Sequence, residues 1–125
     1  MFVGSFNRDK REGEGYERDG EGNVYIGAFK DGMREGFGRI KFVSGDVYTG
    51  MWKNGVIEGF GCFEWQNGKK YTGSLRNNTL EGFGLLTWSD GRSYTGNFQN
   101  DLRHGYGIYK SQNGSVVECP WFENK

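Results

Sequence analysis

The chain has 125 residues, of which 34% are hydrophobic, 17% are aromatic and 23 are glycines. Its sixteen basic and sixteen acidic residues cancel at pH 7, so no overall positive field favours nucleic acid as a partner. No stretch is apolar for the length of a membrane span, and the start lacks the pattern of a secretory signal. We therefore expect a cytoplasmic protein without an anchor of its own.

An internal repeat of twenty-three residues runs through the chain. Each full copy after the first opens with Tyr25, Tyr48, Tyr71 or Tyr94. Every glycine except Gly20 has a fixed place in the unit, which excludes collagen and flexible linkers. A period of this length is typical of stacked repeats. We divide the chain into repeats 2–24, 25–47, 48–70, 71–93 and 94–116 and a partial repeat 117–125.

The first repeat is the most polar. It keeps the glycines of the unit but places Glu14, Glu17 and Asp19 where later copies carry apolar side chains. Terminal units of stacked arrays commonly turn polar because one side has no neighbour. We therefore expect residues 2–24 to form a cap or a decayed copy of the repeat.

Repeats two to five each read as two short strands. In the third repeat, residues 48–52 alternate in the period of a strand, a polar bend follows at Lys53-Asn54-Gly55, and residues 59–65 alternate again. Two such runs around a turn predict a β-hairpin. The unit then closes on Asn67-Gly68, and we expect both residues of this pair and of its equivalents to adopt positive φ.

The alternation also predicts how the hairpins pack. Tyr48, Trp52, Phe63 and Trp65 fall on one face of the predicted hairpin, together with glycines. We expect these glycines to form hollows that receive the rings of the neighbouring repeat. The predicted fold is all-β, a single-layer antiparallel sheet of stacked β-hairpins with about ten or eleven strands.

The two ends of the array and the cysteines carry further expectations. Residues 117–125 predict one more strand, with Cys119 in place of a repeat glycine and Trp121 at the position of Phe98. The end strands at residues 2–6 and 117–121 could pair with a second copy of the chain. Cys62 and Cys119 show no metal-ligand spacing, so we expect free thiols and no metal or cofactor.

Three stretches of the chain carry the same motif: YTGMWKNGVIEGFGCFEW, YIGAFKDGMREGFG and YTGNFQNDLRHGYG. They resemble MORN repeats (membrane occupation and recognition nexus). The resemblance covers nearly the whole chain and implies a single-layer sheet of hairpins that acts as a scaffold or adaptor. It also implies links to cytoskeletal and ciliary assemblies and to membrane junctions, and occurrence beside kinase or methyltransferase domains. The chain departs from the family pattern where Asp9, Asn78 and Asp101 replace a turn glycine and Leu75 replaces a tryptophan.

Four aromatic residues form the first candidate site. Each lies between two glycines of the second predicted strand, and they are Phe37, Phe60, Phe83 and Tyr106. The alternation points them away from the stripe of tyrosines or places them at its edge, which would leave an exposed apolar strip for a helix or an extended peptide. The alternative is that the rings fold over neighbouring glycines as part of the structure.

A charged position next to these aromatic residues forms the second candidate. Its members are Glu12, Glu35, Glu58 and Glu81, with His104 in the fifth repeat. The glutamates could select a basic segment of a partner, with Arg34 and Arg103 beside them. The alternative is a solvated row of charges at the edge of the sheet.

Basic residues near the closing turns form the third candidate. Lys69, Lys70 and Arg92 occupy adjoining places in successive repeats, and Arg39 and Lys41 could approach them. Such a cluster could bind a phosphoinositide head group or an anionic leaflet. The alternative is an ordinary solvated surface, since acidic residues are interspersed.

Enzymatic function is not indicated. His104 is the single histidine, and no pattern supplies it with a nucleophile. The Gly-x-Gly pairs lack the strand-to-helix context of a phosphate-binding loop. We expect a non-enzymatic scaffold or adaptor that binds an amphipathic helix or extended peptide, and the resemblance implies a cytoskeletal or ciliary assembly as its setting. The alternatives are a peripheral membrane module that binds anionic phospholipid, and a targeting segment of a larger enzyme.

Overall fold

The computed structural model describes residues 1–124, and the side chains of residues 1–118, as one antiparallel sheet. The strands are β1 Phe2–Asn7, β2 Lys10–Arg18, β3 Val24–Lys30, β4 Met33–Lys41, β5 Val47–Lys53, β6 Val56–Glu64, β7 Lys70–Arg76, β8 Thr79–Thr87, β9 Ser93–Gln99, β10 Leu102–Lys110 and β11 Val116–Asn124. They lie in the sheet in chain order, so each strand forms a hairpin with the next. The predicted all-β, single-layer sheet of consecutive hairpins is confirmed.

The turn in the middle of each repeat is a tight two-residue turn. Asn54 and Gly55 have φ of 50° and 85°, and positive φ at both central residues matches the twist of the flanking strands. Where the family's turn glycine is replaced, Asn78 and Asp101 keep the same conformation with φ of 67° and 69°. Asparagine and aspartate tolerate this region better than other residues, so the replacements leave the hairpins intact.

The turn between repeats is built differently from our prediction. In the pair Asn67-Gly68, Gly68 has φ of 93°, whereas Asn67 is not among the residues with positive φ. The Oδ1 atom of Asn67 accepts a hydrogen bond of 3.0 Å from the backbone N–H of Lys69. The expectation of positive φ at both residues was wrong because the asparagine acts through its side chain.

One row of glycines crosses the sheet in register. Gly50 lies between Gly38 and Gly61 on the two neighbouring strands, and the pairing continues without a break over ten strands. The row consists of Gly4, Gly15, Gly27, Gly38, Gly50, Gly61, Gly73, Gly84, Gly96 and Gly107. We call the side of the sheet on which the tyrosines cover this row the core face, and the opposite side the outer face.

Each repeat tyrosine lies over glycines of its own repeat. Tyr48 has no exposed surface, and its hydroxyl donates a 2.9 Å hydrogen bond to the backbone oxygen of Met51. A Cβ added at Gly61 would lie 2.4 Å from the Tyr48 hydroxyl oxygen. Our prediction that the glycines receive rings of the neighbouring repeat was therefore wrong, because the ring folds along its own strand.

Neighbouring repeats meet through a second layer of rings on the core face. Trp52 packs edge-on against Tyr25 of the preceding repeat, with 5.2 Å between ring centroids, and its Nε1 donates to the backbone oxygen of Gly38 at 3.2 Å. Phe98 packs in the same way against Tyr71. Leu75 remains buried in place of the tryptophan. These contacts couple each hairpin to the one before it.

The first repeat completes the core with charge rather than with an apolar side chain. Glu17 occupies the place of Ile40 and forms ion pairs with Arg11 and with Arg34, the latter at 3.1 Å. The Arg34 guanidinium also lies 5.2 Å from the centre of the Trp52 ring. An acidic side chain can end the core because two cations and the rings beneath them neutralise and cover it.

At the two ends of the sheet, β1 pairs with β2 and β11 pairs with β10, and the described residues place no further strand beside them. Pairing of these edges with a second copy stays a prediction. The side chains of Cys119 and Trp121 lie outside the described residues.

Candidate partner-binding surface

Four aromatic side chains stand exposed on the outer face. The exposed fraction is 62% for Phe37, 64% for Phe60, 61% for Phe83 and 58% for Tyr106. The local sequence explains their direction. The glycine after each ring belongs to the glycine row on the core face, so the ring itself points to the opposite side. We call these four residues the outer aromatic row.

The glycine before each of these rings adopts a left-handed conformation. Gly36 and Gly59 have φ of 93° and 112°, which a residue with a side chain adopts only with strain. At the same point the pairing register within each hairpin shifts, between Gly50 and Trp52 in the third repeat. Such bulges bend a strand and re-aim its side chains. The motif Glu-Gly-Phe-Gly therefore fixes both the bend and the direction of the ring.

The residues between the rings of the row are smaller or more flexible. On the intervening strands, Met51 pairs with Phe37, Ser74 with Phe60 and Asn97 with Phe83. The rings thus recur on every second strand, which corresponds to about 9.6 Å. Three such steps separate Phe37 from Tyr106, so the row is roughly 29 Å long.

A second row with apolar members runs beside the first. Ile26, Leu85 and Ile108 are exposed on the outer face, each two residues away from the outer aromatic row on its own strand. The middle row consists of Val3, Tyr16, Ile26, Arg39, Thr49, Cys62, Thr72, Leu85, Thr95, Ile108 and Glu118. Because these three apolar residues lie among threonines, Cys62 and Arg39, the middle row widens the exposed apolar surface near β3, β8 and β10.

The glutamates of the second candidate bind the backbone of the next hairpin. Glu35 accepts a 3.0 Å hydrogen bond from the N–H of Asn54, and Glu81 accepts one of 2.8 Å from Asn100. Both donors lie in the central turn of the following repeat. The carboxylates therefore hold consecutive turns together along one edge of the sheet. Glu58 has the same place in its repeat, where Asn78 instead accepts from the N–H of Ile57 at 2.8 Å.

The two arginines predicted beside the glutamates lie on the core face. Arg34 pairs with Phe29 across the hairpin and rests on core rings. The Arg103 guanidinium lies 5.8 Å from the centre of the Tyr94 ring and 5.9 Å from that of Tyr109. Because alternate residues of a strand face opposite ways, the structure separates these arginines from the outer aromatic row.

The basic residues of the third candidate do not form one cluster. Lys69 and Arg92 lie over the rings of Trp65 and Trp88, at 4.6 and 4.9 Å from the ring centres. Hydrogen bonds from the Arg92 backbone and side chain hold the pKa of Asp90 below its usual value. Lys70, one residue before the core tyrosine of its strand, faces the outer side.

Sequence reasoning expected Lys41 to approach Lys70, but it did not predict the row of basic residues on the outer face to which both belong. Lys41, Lys70 and Lys110 are exposed and share one cross-strand row with Arg18 and Glu64. The members come from two different places in the repeat, the end of the second strand and the start of the first. The repeat period therefore does not reveal the row, whereas the strand register does.

Within the described residues, no group of three or more His, Cys, Asp or Glu side chains is arranged to hold a metal ion. The same part of the chain contains no helix of the length and apolar character needed to cross a bilayer.

Consecutive hairpins that stack in register, with an aromatic row exposed on the face away from the core, define a repeat protein of the open β-sheet type. The model of the MORN repeat family matches residues 2–24, 25–47, 48–70, 71–91 and 94–116, and the chain belongs to this family. MORN repeats are commonly protein or lipid interaction modules, and the family is not an enzymatic one. No curated protein gives a significant match to the chain.

Proposed function

We propose that this chain is a non-enzymatic scaffold or adaptor that binds a partner protein along its outer face. The observation that carries the proposal is the outer aromatic row, in which four rings are 58% to 64% exposed although the core face already holds the fold. Large exposed apolar side chains grouped on one face are characteristic of an interaction site. The length of the row favours an elongated partner segment over a small molecule.

The energetics are sufficient for such binding. Complete burial of one large apolar side chain contributes roughly 1.5 to 3 kcal/mol, and aromatic residues dominate the energy of many interfaces. Four rings together can therefore offset the cost of ordering a partner segment, which is of order several kcal/mol. In this proposal Glu35 and Glu81 position the strands of the surface, while the rings supply the affinity.

A paired substitution tests the proposal. Crosslinking and mass spectrometry in native cells first identify the bound protein, and its affinity is then measured for purified Phe60→Ser/Phe83→Ser. We expect the affinity to fall at least about a hundredfold with an unchanged circular dichroism spectrum. The control is Met33→Ser/Val43→Ser, which removes two exposed apolar side chains outside the row and should bind normally. Normal binding by the first variant would contradict the proposal.

The assembly in which the adaptor acts is a separate proposal. The family resemblance favours a cytoskeletal or ciliary structure, or the cytosolic side of a membrane junction. A fluorescently tagged chain should concentrate at such a structure and lose this location in Phe60→Ser/Phe83→Ser. A uniform distribution of the unchanged chain would contradict this part of the proposal.

Binding of anionic lipid is the second candidate function. The stacking of Lys69 on Trp65 and of Arg92 on Trp88 favours it, since tryptophan and basic side chains together suit a membrane surface. Flotation with phosphoinositide-containing liposomes tests it, with Lys69→Glu/Arg92→Glu as the variant. Binding that is weakened by salt and lost in the variant would support this function, and no binding by the unchanged chain would exclude it.

A further inference from the structure

Charge is distributed unevenly on the two sides of the outer aromatic row. On one side, the middle row and the row beyond it contain five basic residues, Arg18, Arg39, Lys41, Lys70 and Lys110, against the acidic residues Glu64 and Glu118. On the other side, the strand ends near the central turns carry charges of both signs. The basic residues Lys30, Lys53 and Arg76 lie there beside the glutamates of the second candidate site. The surface is therefore basic along one flank only.

The basic flank is open to solvent and to a partner. Arg39, Lys41, Lys70 and Lys110 are exposed, and none of them forms an ion pair with a described side chain. The ion pairs in that part of the chain instead involve Arg11, Arg34 and Arg92. The flanking charges are thus available to meet acidic groups.

The width of the surface distinguishes between a helix and an extended chain. Residues two apart on a strand are about 6.8 Å apart, so the outer aromatic row, the middle row and the basic row follow one another at this interval. A helix with its side chains is about 10 to 12 Å wide and covers both rows that carry apolar residues. A single extended chain covers one row.

The spacing along the surface is also suited to a helix. The rings recur at about 9.6 Å, and helical residues seven apart recur at about 10.5 Å. A helix that crosses the strands at a modest tilt can therefore place one apolar residue per repeat against each ring. Polyproline helices repeat every 9.3 Å or so and would match the spacing, but not the width.

We propose that the outer face binds an amphipathic helix that runs across the strands, with apolar residues every seventh position and an acidic flank over Arg39, Lys41, Lys70 and Lys110. The inference rests on the proposed function, since it specifies the partner segment of the same surface. It also specifies the orientation of the bound helix, because only the flank that faces the basic residues can be acidic. A helix with a basic flank is disfavoured by like charge.

A pair of designed peptides tests the inference without knowledge of the natural partner. The probe has about 21 residues, enough to span the row, with leucine at two positions of each heptad and glutamate along one flank. Its counterpart carries lysine in place of each glutamate. Fluorescence anisotropy of labelled peptide measures binding to the complete chain. We expect the glutamate peptide to bind at least about tenfold more tightly than the lysine peptide.

Two charge variants of the protein make the test specific. Lys41→Glu/Lys70→Glu/Lys110→Glu should reverse the preference between the peptides. Lys30→Glu/Lys53→Glu/Arg76→Glu changes the net charge equally, but on the other side of the outer aromatic row, and should keep the original preference. Circular dichroism checks that both remain folded. If both variants reverse the preference equally, total charge explains the binding and the inference is overturned.

The outcomes separate this inference from the proposed function. If Phe60→Ser/Phe83→Ser abolishes binding of both peptides, but the unchanged chain shows no preference between them, the aromatic surface stands and the acidic flank is wrong. If that variant binds both peptides normally, the proposed function itself fails. Flotation with phosphatidylserine vesicles provides a further arm. Vesicle binding that depends on Lys41, Lys70 and Lys110, without peptide binding, would assign the basic row to a membrane instead.

Discussion

The two faces of this sheet use aromatic residues in opposite ways. Tyr48 and Phe60 belong to the same hairpin and both lie beside glycines, yet Tyr48 is completely buried and Phe60 is 64% exposed. The difference lies in the direction of the strand alternation. The Tyr48 ring packs on the glycine row and is covered by neighbouring rings. The Phe60 ring projects from the outer face, where no second layer of side chains covers it.

This difference shows how a single-layer sheet obtains a core. A sheet normally buries one face against another element, but here rings fill hollows that the glycines leave in the sheet itself. The tyrosine hydroxyl reaches the backbone oxygen three residues along, from Tyr71 to Ser74 at 2.7 Å, so the polar end of the ring is satisfied. The four rings of the outer aromatic row therefore take no part in covering the tyrosines.

The largest effect should come from a methyl group placed in the glycine row. A Cβ at Gly50 would lie 2.5 Å from the Cα of Gly61 and 2.5 Å from the Tyr48 hydroxyl oxygen, so the backbone itself must move. We expect Gly50→Ala to lower the free energy of unfolding by roughly 3 kcal/mol, measured by urea denaturation.

Gly20 provides the matched control for this measurement. A Cβ there meets nothing within 4 Å, and Gly20→Ala should change the free energy of unfolding by less than about 0.5 kcal/mol. Equal effects of the two substitutions would mean that the glycine row is not the basis of the core.

Alkaline pH should destabilise the core face next. Burial raises the pKa of Tyr25, Tyr48 and Tyr71 to about 12, from the ordinary value of 10.0. Because the folded state holds these protons more tightly, their contribution to stability is complete below pH 10 and is lost as the pH rises towards 12. The urea midpoint should fall across this range. The urea midpoint of Tyr48→Phe should fall less steeply with pH than that of the unchanged chain. An identical slope would contradict the assignment of this pH dependence to the buried tyrosines.

A smaller effect is expected at the polar end of the core face. Glu17→Gln removes the charge that Arg11 and Arg34 share, and it should lower the free energy of unfolding by about 1 to 2 kcal/mol. The matched substitution Asp90→Asn breaks the exposed pair with Arg92 and should leave the urea curve unchanged. If Glu17→Gln also leaves it unchanged, the first repeat does not depend on this ion pair.

The sequence was sufficient to predict the fold and the direction of the rings. The regular step from Tyr48 to Tyr71 places equivalent residues on equivalent strands, and strand alternation then separates Tyr48 from Phe60. These conclusions need only the period and the geometry of a strand. The replacements at Asn78 and Asp101 also changed nothing, since both residues tolerate the turn conformation.

Other features depend on contacts that the repeat period does not encode. Whether Tyr48 covers its own glycines or those of the next hairpin is decided by the direction of its ring along the strand. The partner of Glu35, a turn N–H of the following repeat, depends on how consecutive turns stack. Lys41 and Lys70 fall in one cross-strand row through the pairing register, three strands apart, although they hold different places in the repeat.

The most direct test of the two-faced sheet compares two positions of one strand, Ile57 and Phe60. Ile57 is 5% exposed on the core face and Phe60 is 64% exposed on the outer face. Each is changed to cysteine in a chain with Cys62→Ser and Cys119→Ser, and the reaction of the thiol with Ellman's reagent is timed. We predict that Ile57→Cys reacts at least about a hundredfold more slowly than Phe60→Cys, because its labelling requires local opening. Equal rates would contradict the account.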